Sequence, residues 1–184
     1  MAELFGLENI NNIINKFLHK EFKIAAELSD EFQAFTTRNT VGYTLAPTQE
    51  CVDQFLGDAE ARFPDVTADP FLWLLFHEVG HIMTEHLWSD ADRDYFNAQK
   101  NKYFDMGNDE EEEATEDSEP QGYAFIDDEI AADLYHAFAD ENMATKWAGE
   151  YMLTHARKVA KFWAKLQPAI LEFYVINDVD TEEE

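Results

Sequence analysis

The residues with the most chemistry stand together at His77-Glu78-Val79-Gly80-His81, an H-E-x-x-H pattern. Residues four apart on a helix are offset by about 40° and one turn, so both imidazoles project to one side. Two neutral imidazoles placed this way can bind one Zn²⁺ at about 2.0–2.1 Å. Glu78 is rotated by about 100° from His77, out of the ligand set but within reach of a water on the metal. It is the candidate general base, and His77 and His81 are candidate metal ligands. A catalytic zinc takes three protein ligands and keeps a fourth position open. Cys51 is the single cysteine, so a thiolate-rich site is excluded and the third ligand must be His, Asp or Glu.

Downstream, Glu129, Asp133 and His136 fall at i, i+4 and i+7, a polar stripe flanked by Ile130, Leu134, Ala137 and Phe138. Glu129 is the expected third ligand, with Asp127 and Asp128 as competitors that lie nearer an acidic stretch. Asp133, one turn later, is spaced to hydrogen-bond the outer nitrogen of a ligating histidine. His136, about 10 Å along the helix from Glu129, has two readings: a catalytic residue that stabilises a tetrahedral oxyanion, or a plain hydrogen-bonding group in the cleft. Of the other histidines, His86 lies about 180° from His77 around a regular helix and reads as structural. His155 reads as a core residue and His19 as exposed.

The elements that must position these groups are mostly helices. Asp69-Pro70 supplies an N-cap followed by proline at the first helical position, and the helix it opens is expected to reach about Trp88. Its run Phe71–Phe76 is apolar on every side, which predicts a buried helix. Two buried histidines and a glutamate are costly there unless paired or ligated. Leu7–Leu28 carries Ile10, Ile13, Ile14, Phe17 and Leu18 at helical spacing. Asn39–Pro47, with Thr-Val-Gly-Tyr-Thr-Leu, is the best strand candidate and implies a small sheet. Gln49–Phe63 and Ile126–Ala139 read as helices. Asp140 is placed to cap a long helix over Glu141–Leu166 that stops at Pro168, before a short closing element at Ala169–Ile176, helix or strand. The aromatic stripe Trp147, Tyr151, Phe162 and Trp163 reads as core. The expected class is mainly α, in an α+β arrangement.

His77-Glu-Val-Gly-His81, with His86 five residues later, resembles the HELGH…H helix of ImmA/IrrE-type metallopeptidases. Glu129-Ile-Ala-Ala132-Asp133-Leu-Tyr135 is similar to that family's downstream ExxA(D/N)xF segment. Its Glu-x-x-x-Asp spacing is also that of thermolysin-like zincins. The resemblance spans about Phe71–Ala139, with a long gap between the two segments and His136 where the family usually has a small residue. It implies a zincin-like helical domain with an H-E-x-x-H active-site helix. It further implies Zn²⁺ held by His77, His81 and Glu129, with Glu78 as base and Asp133 as the residue that orients a ligating histidine. Family members cleave or regulate helix-turn-helix repressors, often in prophages and mobile elements. Since no DNA-binding module is fused here, the implied substrate is a separate, basic repressor chain.

The charge balance narrows the choice of partners. Thirteen Lys and Arg oppose 39 Asp and Glu in 184 residues, a net −26. Such a surface repels phosphate backbones and anionic lipid, so direct nucleic-acid or membrane binding is not expected. The acid is concentrated in an internal tract, Asp105–Glu119, and in a tail over Asp178–Glu184. The expected organisation is one domain over 1–176, with 105–119 as an acidic insertion and 177–184 as an acidic tail. The N-terminus has no signal-peptide pattern, and the longest apolar run is far too short to cross a bilayer, so a cytoplasmic protein is expected. Two functions compete. One is a zinc-dependent metalloendopeptidase acting on a protein or peptide. The other is an acidic interaction protein, or DNA mimic, that blocks basic partners. The intact base Glu78 favours the enzyme, because a decoy has no need of it.

Overall fold

The computed structural model describes residues 6–47, 49–98 and 139–177. In chain order these form α1 (Leu7–Phe22), β1 (Ala25–Leu28), β2 (Gln33–Phe35), β3 (Thr40–Tyr43), α2 (Gln49–Arg62) and α3 (Pro70–Thr84). A helix over 90–98, α4, precedes α5 (Ala139–Thr154) and α6 (Ala156–Asn177). Mostly helical with one small sheet, the described residues fit the mainly α, α+β class that the sequence predicts.

The first helix is shorter than the apolar spacing implies. α1 ends because Lys23 adopts a left-handed conformation, φ 63°, and its N–H closes on His19 O. Ala25–Leu28, read from sequence as the end of that helix, is instead a strand paired in parallel with β3. β2 pairs antiparallel on the other side, giving the order β1-β3-β2 with all four residues of the central strand buried. The outer edge of β1 is covered from α1: Asn15 donates to Ala26 O and accepts from Ala26 N–H, both at 2.8 Å. Among the described residues, β2 is the other edge.

α3 starts as its sequence specifies, with the Asp69 carboxylate accepting from Phe71 N–H at 3.0 Å and Pro70 at the first helical position. It runs through the centre of the protein, in contact with α2, α5, β2 and β3. Ten of its fifteen residues are buried. Of the aromatic stripe, Phe162 is buried in the core, while Trp147, Tyr151 and Trp163 are partly buried and pack against it. Phe17 stacks on Phe162 at 4.1 Å, and Phe76 packs against Tyr151 at 5.3 Å.

The single long helix expected over Glu141–Leu166 is two helices that meet at His155. α5 packs on α3 while α6 packs on α1, and one straight rod cannot follow both. Asp140 lies inside the first turn of α5 rather than ahead of the helix. Pro168 does not end α6, which continues to Asn177. Proline removes the N–H that would bond the carbonyl of residue 164. Ala164 and Pro168 are both exposed, so water can serve that carbonyl, while Leu166, Ala169 and Phe173 are buried and hold the helix to the core. Among the described residues, no helix is long and apolar enough to cross a membrane.

Candidate metal centre

α3 and α5 cross closely because Gly80 has no side chain. A Cβ at Gly80 would lie 2.5 Å from the backbone oxygen of Ala144 and 2.9 Å from its Cα. Backbones this near bring the residues one turn around Ala144, namely Glu141 and Thr145, against His77 and His81. Arg62, at the end of α2, reaches across to the carbonyl and side chain of Asn142 and ties down the same turn of α5.

The outcome is a compact triangle of ligand atoms. Glu141 Oε2 lies 3.0 Å from His77 Nε2 and 3.2 Å from His81 Nε2, and the two Nε2 atoms are 3.1 Å apart. His77 is 4% exposed and Glu141 2%. Three mutual contacts of this kind cannot all be hydrogen bonds. If both imidazoles donate to the carboxylate, their Nε2–H groups face each other. A cation at the common focus removes the conflict, and the donor set (two imidazoles and one carboxylate) is one that zinc accepts. A tetrahedral ion with bonds of about 2.0–2.2 Å sets its ligand atoms roughly 3.3–3.6 Å apart, only a few tenths of an ångström wider than this triangle.

Electrostatics favour an ionised Glu141. Burial pushes its carboxyl upward, but hydrogen bonds from His77 and His81 more than offset this and hold it far below the ordinary carboxylate range. Thr145, fully buried, places its Oγ1 3.1 Å from His77 Nδ1. As acceptor from Nδ1–H, it selects the tautomer that leaves Nε2 available to a metal. Glu78 stays outside the triangle, with a carboxylate oxygen within 4.8 Å of both imidazoles.

The triangle opens on a cleft of about 390 Å³. Glu78, His81 and Glu141 line its floor, β2 contributes Gln33 and Ala34 to one wall, and Trp88 and Phe96 lie on another. Trp88 and Phe96 meet edge to face at 5.1 Å. Asp140 also lines the cleft, its carboxylate within 4.8 Å of the ligand atoms of His81 and Glu141.

Of the residues singled out by sequence, the structure unites His77, Glu78 and His81. Glu129, its competitors Asp127 and Asp128, Asp133 and His136 lie outside the described residues. Among the described residues, the carboxylate that stands against the two imidazoles is Glu141 and the group that holds His77 Nδ1 is Thr145; neither was singled out by sequence. The signal for them was present. Glu141-Asn-Met-Ala144-Thr145-Lys-Trp147 repeats the spacing of Glu129-Ile-Ala-Ala132-Asp133-Leu-Tyr135: glutamate, alanine three on, a polar residue four on and an aromatic six on. His86 is exposed in the 3-10 turn Glu85–Leu87 beyond α3, away from the triangle. His155 is partly buried and stacked on Tyr151 at 4.4 Å, and His19 is exposed. No protein-family model matches this chain, and neither a curated protein nor a solved structure does.

Proposed function

We propose that the protein is a zinc-dependent metalloendopeptidase with a zincin-like, ImmA/IrrE-type site, in which His77, His81 and Glu141 hold the metal. Glu141 takes the part that the sequence reading gives to Glu129, and Thr145 the part given to Asp133. One observation carries the reading: three ligand atoms of the right chemistry, those of His77 and Glu141 buried and that of His81 at the cleft, converge within 3.0–3.2 Å beside an H-E-x-x-H helix. A bound zinc would polarise a peptide carbonyl and acidify the attacking water. Glu78, on the cleft floor, would accept the proton of that water and return it to the leaving amine nitrogen. β2 supports a peptide substrate. Among the described residues it is an edge strand, beside the proposed metal site, and an extended chain can hydrogen-bond along such an edge. The net charge of −26 suits a basic target, such as a separate DNA-binding repressor.

Glu78→Gln tests the reading, because it preserves shape but cannot accept the proton. Zinc content should stay at about one per chain while hydrolysis of a denatured basic protein falls at least ~10²-fold. Equal hydrolysis by the variant removes Glu78 from the chemistry. If the cellular effect persists after hydrolysis is lost, the acidic interaction protein becomes the better account.

A further inference from the structure

A second concave surface lies between α1 and α6 and shares no lining residue with the metal cleft. It encloses about 580 Å³, with Ile13, Phe17 and Phe162 among its lining residues. Around them stand Lys16 and Lys20 from α1 and Arg157, Lys158, Lys161 and Lys165 from α6. Six of the thirteen cationic side chains in the whole chain therefore border one groove. The spacing is helical: 16 and 20 on one wall, 157, 161 and 165 on the other, the latter extending over about 12 Å.

In a chain with three acids for every base, cations would be expected to find carboxylates. Here Glu21 is the one acidic residue that lines the groove, and it holds Lys158 at 2.5 Å. Among the described residues, Lys16, Lys20, Arg157, Lys161 and Lys165 have no ion pair. All five are exposed. Five like charges facing one another repel, and pairing with neighbouring acids would relieve that repulsion at little cost.

We propose that this groove is a docking site for an acidic peptide segment of a partner protein, one that carries apolar side chains between its carboxylates. The cations match the carboxylates, and the partly exposed Ile13 and Phe17 match the apolar side chains. A duplex or a flat anionic membrane fits less well. Either would bring its phosphates against the rest of a strongly acidic surface, whereas a single peptide strand fits within the groove. The site is independent of the metal centre and of any hydrolysis there.

The test uses the full chain and a fluorescein-labelled peptide of alternating Glu and Leu, about ten residues long, a length that spans the cationic row as strand or helix. Saturable binding at low salt is expected. It should weaken at least ~10-fold in Lys161→Glu/Lys165→Glu and again on raising the salt, with zinc content unchanged. Lys16→Glu/Lys20→Glu on the opposite wall should act in the same way and covers the case in which the first variant fails to fold. The proposal is overturned by any of four results: no saturable binding, equal binding by a folded charge-reversed variant, equal binding of a Lys/Leu control peptide, or a single-stranded oligonucleotide displacing the peptide at lower concentration. Binding that appears only after removal of Asp178–Glu184 would also overturn it, since the occupant would then be the chain's own tail.

Discussion

Glu141 is a buried carboxylate, and its environment explains why it is tolerated. An unpaired charge at 2% exposure would cost several kcal/mol, and the two imidazole nitrogens at 3.0 and 3.2 Å help to offset it. Asp140, the adjacent residue, also lines the cleft, and the two carboxylates invite a direct comparison. Glu141→Ala should remove stoichiometric zinc, measured by metal analysis after gel filtration, whereas Asp140→Ala should retain it. Retention in both single variants would return the third position to a residue outside the described segments, Glu129 first. Thr145→Val keeps the volume and deletes the acceptor for His77 Nδ1–H. It should weaken zinc binding by about 10–100-fold without unfolding the chain.

Those side chains meet because two helices touch at Gly80 and Ala144. Gly80→Ala places a methyl carbon 2.5 Å from the Ala144 carbonyl oxygen, too close for contact, so α5 must withdraw. The expected loss of stability is about 1–3 kcal/mol, with a larger proportional loss of zinc affinity, because the ligands sit on opposite sides of the contact. Urea melts with and without zinc separate the two effects, and equal affinity in the variant would show that α5 does not set the ligand spacing. The same contact marks the limit of what sequence could tell. α3 was legible because its signals are local: Asp69, Pro70, an unbroken apolar run and two histidines one turn apart. The carboxylate that meets those histidines was not, because two segments twelve residues apart carry the same spacing of Glu, Ala, polar and aromatic residues. Among the described residues, the packing against Gly80 brings Glu141 of the second to them. Lys23 and Pro168 misled in the same way. A lysine gives no warning of a left-handed φ, and a proline inside a helix is overruled only by buried neighbours that local reading cannot see.

Across the molecule, 39 acids against 13 bases make self-repulsion a standing cost of compactness. Raising salt from low to physiological strength should therefore stabilise the fold, by ~1 kcal/mol or about 2–4 °C in Tm for a chain of this size. The same salt should weaken peptide docking in the α1–α6 groove, so the two responses have opposite signs in one titration. A Tm that fell with salt would mean that ion pairs outweigh the repulsion. Charge of this magnitude says nothing about topology, which is set by the apolar stripe of each helix around α3. The burial of α3 has a consequence in time rather than in energy. A helix enclosed by α2, α5, β2 and β3 should resist fraying, so an ion bound by His77 and His81 would not leave through local unwinding. Its residence is governed at the mouth beside His81, where a chelator entering the cleft must take over the ligands one at a time. Metal exchange and unfolding should thus run on separate clocks, the first answering to chelator concentration and the second to denaturant.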